Sequence, residues 1–129
     1  MAETEKITIN LGVVDLGKID MLVEQGFYTT RTDFIRAAIR SQLLTHTTDI
    51  QETVTRSSTV VGVLAYDARD LEKLLEKGER LKITIAGMLV LGKDITPELA
   101  DAAIESIKVH GVFKASNKVR QILADRISD

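Results

Sequence analysis

Three polar side chains near the N-terminus are spaced so that they could form one hydrogen-bonding surface. Lys6, Thr8 and Asn10 alternate with aliphatic residues in the stretch KITINL. Strict alternation predicts a β-strand, here Lys6–Leu11, with one polar and one apolar face. An ammonium, a hydroxyl and a carboxamide together offer hydrogen-bond donors and acceptors. The polar face is therefore either a recognition surface or simply a solvated one.

A six-residue strand is not stable alone in water, so this strand needs a partner for its edge and a cover for its apolar face. The economical solution is antiparallel pairing with the same strand of a second chain, which gives a two-stranded ribbon. Such a ribbon fits the major groove of DNA, where Lys6 can donate to guanine and Asn10 can pair with adenine. Thr8 can contact a base edge or a thymine methyl group. The predicted partners are double-stranded DNA and a second copy of the chain.

Two amphipathic helices follow the strand and can cover its apolar face. The first is predicted from about Asp15, as its cap, to Gln25, with Gly26 just past its end in a left-handed conformation. The second begins near Thr30, which with Asp33 forms a variant of the capping box.

The whole N-terminal stretch resembles a known family of proteins. KITINL…LGKIDMLVEQGFYTTRTDFIRAAIR is similar to the ribbon-helix-helix superfamily of bacterial regulators and antitoxins, over about residues 5–45. The junction GFYTTRTDFIRAAIR matches the glycine, aromatic, Ser/Thr and arginine pattern of that family's second helix. The resemblance implies an intertwined dimer that reads DNA through its paired strands and holds a phosphate at the start of the second helix. The backbone N–H groups of Arg31 and Thr32 suit an anion there. The DNA-binding candidates are Lys6, Thr8, Asn10, Thr30, Arg31 and Thr32.

The remainder of the chain reads as a linker and a second domain. Residues 46–58 are polar and predict a linker between domain 1–45 and domain 59–129, although Ile50 and Val54 could extend the second helix. Domain 59–129 alternates strand-like and helix-like stretches, and glycines recur in its strands 25 and 24 residues apart. The predicted fold class is α+β: a ribbon-helix-helix followed by a small α/β domain of three strand–helix units. The predicted strands are Val60–Tyr66, Lys82–Leu91 and Ile107–Ala115; the predicted helices are Ala68–Arg80, Pro97–Ser106 and Asn117–Ile127.

Composition argues against several other functions. The net charge is −2, so any DNA contact must come from a local surface and not from a global positive field. Cysteine is absent, and His46 and His110 are too few for a transition-metal site, so no metal or cofactor is expected. No nucleophile and base are arranged for catalysis, and the aspartates near strand ends read as helix caps and loop residues. Those aspartates are Asp67, Asp70 and Asp94. No secretory signal and no apolar run of about 18 residues is present, which favours the cytoplasm and no membrane partner.

These patterns predict a transcriptional repressor that binds DNA as a dimer. The C-terminal domain is expected to join dimers into tetramers or larger assemblies, or to sense a ligand. Two alternatives stay open. The chain could be the antitoxin of a toxin–antitoxin pair, or an architectural or partition protein that coats DNA cooperatively. Arg36 and Arg40, four residues apart on the second helix, read as a solvated or ion-paired face.

Overall fold

A computed structural model describes residues 4–128 of the 129-residue chain. The outermost ends of the two predicted domains, residues 1–3 and 129, lie outside the described residues. Internal contacts divide the chain into two compact units between Gln51 and Glu52. Below, residues 4–51 are called the N-terminal unit and residues 52–128 the C-terminal unit.

The N-terminal unit contains a pair of helices, α1 (Val13–Glu24) and α2 (Arg31–Thr45). Gly26 follows α1 with a φ of 87°, which confirms the predicted left-handed residue. The predicted cap of α1 is wrong. The helix begins two residues before Asp15, with Gly12 at the N-cap, and Asp15 lies inside the first turn. An acidic residue there interacts favourably with the helix dipole without capping the helix.

Residues 4–12 form neither a helix nor a paired strand in the single chain. A strand needs a neighbour to satisfy its backbone N–H and C=O groups, and within residues 4–128 no other strand lies against this segment. The predicted strand Lys6–Leu11 therefore stays a prediction that requires a second chain.

The polar segment predicted as a linker is largely helical. Helix α3 (Thr47–Ser57) directly follows α2 and spans the boundary between the two units. Its first turn includes Asp49, whose carboxylate lies 2.9 Å from Nδ1 of His46. Ile50 and Val54 lie four residues apart and so share one face of this helix.

The C-terminal unit contains a four-stranded, entirely parallel sheet with strand order β1-β2-β3-β4. Each strand is joined to the next by a helix. The elements are β1 (Val60–Tyr66), α4 (Ala68–Glu76), β2 (Leu81–Leu91), α5 (Pro97–Ala103), β3 (Ile104–Lys114), α6 (Asn117–Ile122) and β4 (Ile127–Ser128).

Strand β4 is a correction to the sequence prediction. The last helix was expected to reach Ile127 but ends at Ile122, and Ile127 instead lies beside Ile107 of β3. The backbone N–H of Ile107 donates to the carbonyl of Arg126 at 2.9 Å. The other two helices are also shorter than predicted. Gly78, with a φ of 71°, follows the end of α4, and β3 begins where α5 was expected to continue.

Helices α4, α5 and α6 pack against one face of the sheet. Neighbouring helices contact each other in chain order, and side chains from all three join one core with alternate residues of β1, β2 and β3. Fully buried members of this core include Leu71, Ile85, Leu89, Ile104, Ile107 and Leu123. The unit therefore buries its own apolar core.

Three glycines align across the sheet. Gly62 pairs with Gly87, and Gly87 pairs with Gly111, so the sequence repeat corresponds to neighbouring strands. All three have positive φ angles, of 141°, 140° and 124° in chain order. A Cβ on Gly87 would overlap the carbonyl group of Gly62, and one on Gly111 would overlap that of Gly87. Glycine is thus required at these positions by conformation and, in β2 and β3, by contact.

Candidate nucleic-acid interface

The three predicted base-reading residues are all exposed. Lys6, Thr8 and Asn10 lie in the segment before α1, and no hydrogen bond or ion pair involves their side chains within residues 4–128. They are available to an external partner.

The same segment also exposes its aliphatic side chains. Ile7 is 72% exposed and Ile9 is 54% exposed, and Leu11 is exposed as well. Only Ile19 is buried in the whole N-terminal unit. The other large apolar residues that this unit leaves exposed are Val13, Val14, Met21, Phe27, Ile39, Leu43, Leu44 and Ile50. So much exposed apolar surface on a unit of this size is typical of a protein-association site.

The open concavity beside α1 and α2 is also apolar. It is lined by Ile19, Leu22 and Phe34, with Asp15 and Lys18 contributing as well. The ring of Tyr28 contacts that of Phe34 edge-to-face, with ring centroids 4.9 Å apart. This contact packs the loop between the two helices against α2.

Part of this segment's sequence is repeated in the C-terminal unit. The tetrapeptide Lys-Ile-Thr-Ile occurs at residues 6–9 and again at residues 82–85. In β2 it is paired on both sides, and Ile83 and Ile85 are 8% and 0% exposed, respectively. Lys82 is exposed there. In β2 this tetrapeptide thus forms a strand whose two isoleucines are buried.

Thr30 forms the predicted N-cap of α2. Its side-chain oxygen accepts a hydrogen bond from the backbone N–H of Asp33 at 3.0 Å. The Asp33 carboxylate accepts in turn from the backbone N–H of Thr29, at 3.1 Å, and not from that of Thr30. The reciprocal arrangement is therefore shifted by one residue from the usual capping box.

Arg31 makes an interaction that the sequence analysis missed. Its Nε lies 2.7 Å from Oδ1 of Asp20, and its second guanidinium nitrogen lies 2.8 Å from Oδ2, so the pair is bidentate. The two residues are eleven positions apart on different helices, and no local pattern indicates their contact. Hydrogen bonding to Arg31 lowers the pKa of Asp20, against a smaller opposing effect of desolvation. The same hydrogen bonds raise the pKa of Arg31.

The ion pair engages two of the five N–H donors of the Arg31 guanidinium, and the side chain stays 55% exposed. The backbone N–H groups of Arg31 and Thr32 lie in the first turn of α2, where helix geometry provides no intrahelical acceptor. Thr30, Arg31 and Thr32 are thus brought together at one helix start, and all three residues are exposed.

The three aspartates near strand ends serve as helix caps and loop residues, as predicted. Asp67 caps α4 in a capping box with Asp70, and hydrogen bonds from Asp70 lower the pKa of Asp67. Asp94 accepts from the backbone N–H of Ala68 at 3.2 Å. Across residues 4–128 no group of three or more histidine or acidic side chains could hold a metal ion. None of the helices in that range has both the length and the apolar character needed to cross a membrane.

The cap of α2 leads to a first prediction. Thr30→Ala should lower the free energy of unfolding by about 1 kcal/mol, because the N–H of Asp33 loses its acceptor. It should also weaken binding of cognate and random duplexes by a similar factor, because a phosphate contact carries no sequence information. Fluorescence anisotropy with both duplexes measures this. Thr30→Ser, which keeps the hydroxyl, is the matched control. A loss confined to the cognate duplex would contradict a phosphate contact.

Comparison with known proteins agrees with this arrangement of an exposed N-terminal segment and two helices. The model of the ribbon-helix-helix transcriptional regulator family matches residues 2–120. No curated protein and no solved structure matches the chain. Because the match covers most of the chain, it identifies the protein as a DNA-binding transcriptional regulator. The chain belongs to the ribbon-helix-helix transcriptional regulator family, and the match extends well beyond residues 5–45 into the C-terminal unit.

Proposed function

We propose that this regulator is a sequence-specific repressor that reads the major groove with a ribbon made by two chains. Residues 6–11 of each chain pair antiparallel, so that each strand contributes Lys6, Thr8 and Asn10 to one face. The opposite face, with Ile7 and Ile9, packs against the helices of the intertwined dimer. The backbone at the start of α2 binds a phosphate on either side of the ribbon.

The observation that carries this proposal is the exposure of the apolar side chains in the N-terminal unit. Burying one aliphatic side chain contributes about 1.5–3 kcal/mol, and a second chain would bury many of them at once. The Lys-Ile-Thr-Ile strand within β2 supports the same orientation, isoleucines inward and Lys and Thr outward. A dimer also supplies the strand partner that residues 6–11 lack within their own chain.

The C-terminal unit is proposed to join ribbon dimers. It has its own buried core, which supports a permanently folded domain over the short antitoxin tail that folds on its toxin. Linked dimers bind adjacent sites with avidity, because the second binding event becomes intramolecular.

A shortened chain ending after Gln51 tests this division of labour. It should remain a dimer and bind one site, because the ribbon and both helices are intact. Its apparent affinity for two adjacent sites should fall about 100-fold relative to the full chain, since avidity is lost. Sedimentation and gel-shift titrations with one-site and two-site duplexes measure both quantities. Undiminished cooperativity in the shortened chain would contradict an assembly role for the C-terminal unit.

A further inference from the structure

Strand β1 has one free edge. It pairs with β2 on one side only, and no described residue pairs with its other side. Its seven residues, VVGVLAY, carry no charge and no proline. Val61 is 65% exposed and Val63 is 53% exposed. A long, uncharged, exposed edge of this kind is a template for pairing with another strand, and natural proteins usually blunt such edges.

A groove runs along the same flank, between β1 and α4. On the sheet side it is lined by Leu64, Ala65 and Tyr66 of β1 and by Leu81, the first residue of β2. On the helix side it is lined by Asp70, Lys73, Leu74 and Lys77. These four residues have the spacing of one stripe along the helix. Asp70 lies at the N-terminal end of this stripe, and Lys77 lies at its C-terminal end.

The opposite end of the sheet is different. Strand β4 has two residues and covers only Ile107 and Lys108 of β3. Beyond that point β3 carries exposed His110 and Lys114. Short edge strands and lysines are features that discourage strand pairing. The two ends are therefore not complementary, which disfavours head-to-tail stacking of one copy on the next.

We propose that the β1 flank is the surface through which the C-terminal units of two chains associate, around a two-fold axis. This inference rests on the assembly role proposed above and assigns its interface. In this arrangement β1 pairs antiparallel with β1 of a second copy, and the two α4 helices run antiparallel beside each other. The groove stripe is then self-complementary, because each Asp70 faces the partner's Lys77. A two-fold interface of this kind is closed and does not propagate into fibres.

Lysines placed on the free edge test the proposal in the full chain. In Val61→Lys/Val63→Lys, like charges lie opposite each other across the paired strands. The dissociation constant between ribbon dimers should rise on the order of 10- to 100-fold. At a protein concentration where the unaltered chain forms linked pairs of dimers, the average molar mass of the variant should therefore fall to that of a single dimer. Both side chains are exposed in the single chain, so the fold should tolerate the change. Sedimentation equilibrium measures the mass, and circular dichroism checks the fold.

Val112→Lys is the matched control. Val112 lies on β3, in register with Met88 of β2 and Val63 of β1. The substitution therefore places a lysine on the same face of the sheet, but two strands away from the β1 edge. It should leave the assembly intact. If Val112→Lys dissociates the assembly as well, the sheet face and not the β1 edge forms the interface, and the proposal is overturned. Persistence of the assembly in both variants overturns it too.

Cysteine cross-linking gives a second test, which does not depend on weakening the association between chains. The chain contains no cysteine, so Val61→Cys or Val63→Cys introduces a unique thiol. Across a β1–β1 pair, at least one of these positions should form an interchain disulfide much faster than Val112→Cys does. Equal rates at all three positions would contradict the pairing. If instead the unaltered chain is only a dimer at every concentration, it is the proposed assembly role that fails, a result distinct from an assembly that persists in the lysine variants.

Discussion

A chain carrying Lys6→Ala, Thr8→Ala and Asn10→Ala is expected to fold and dimerise normally but to lose recognition of its cognate site. Each base contact contributes about 1–3 kcal/mol of discrimination, so the three together should cost at least about 100-fold in affinity. Binding to random duplexes should fall much less, because it depends on phosphate contacts. The three side chains are exposed and make no hydrogen bond or ion pair within residues 4–128, so their removal should not alter the free energy of unfolding by more than about 0.5 kcal/mol.

The chain supplies a matched control for this experiment. Lys82→Ala/Thr84→Ala removes the same residue types, at the same spacing, from the second Lys-Ile-Thr-Ile sequence in β2. Specific binding to one site should be unchanged in that variant. Titrations of both proteins with a selected duplex and a scrambled duplex separate specific from non-specific loss. Full cognate affinity in the triple variant would exclude the ribbon as the reading element.

Gly87→Ala is expected to destabilise the C-terminal unit by about 4 kcal/mol or more, among the largest effects of any single substitution in this chain. Two costs combine at this position. Alanine is strained at a φ of 140°, and its Cβ would overlap the carbonyl group of Gly62 on the neighbouring strand. The clash involves backbone, so relief requires β1 and β2 to move apart.

Gly62→Ala separates the two costs. Gly62 has nearly the same φ, 141°, but nothing lies within 4 Å of a Cβ built on it. Its substitution should cost only the backbone strain, about 1–3 kcal/mol. Thermal unfolding of the two variants measures the difference. If both variants lost the same free energy of unfolding, backbone strain alone would account for the loss, and the clash with the neighbouring strand would contribute nothing.

Local patterns predicted those parts of the fold that local interactions determine. Thr30 and Asp67 each cap a helix as expected, since a capping side chain contacts a backbone group only three residues away. Gly26 follows its helix for a similarly local reason. Strands β1, β2 and β3 were predicted because their apolar residues and recurring glycines are visible in the sequence itself.

Features that depend on distant contacts were not predictable in this way. Strand β4 exists because Ile127 meets Ile107, twenty residues earlier, and no local signal distinguishes it from a continuing helix. The Asp20–Arg31 pair likewise depends on how α1 and α2 meet. The Lys-Ile-Thr-Ile sequence gives the plainest example, because the same four residues are a buried strand in β2 and unpaired near the N-terminus. Neighbours, and not local sequence, make the difference.

The central claim is that the ribbon lies in the major groove, and dimethyl sulfate footprinting tests it most directly. The full chain is bound to a duplex selected from a random pool, and methylation is compared at guanine N7, in the major groove, and adenine N3, in the minor groove. We predict protection of guanine N7 within the site, and loss of that protection with the Lys6→Ala/Thr8→Ala/Asn10→Ala variant. Unchanged reactivity at guanine N7, with protection confined to adenine N3, would contradict the account.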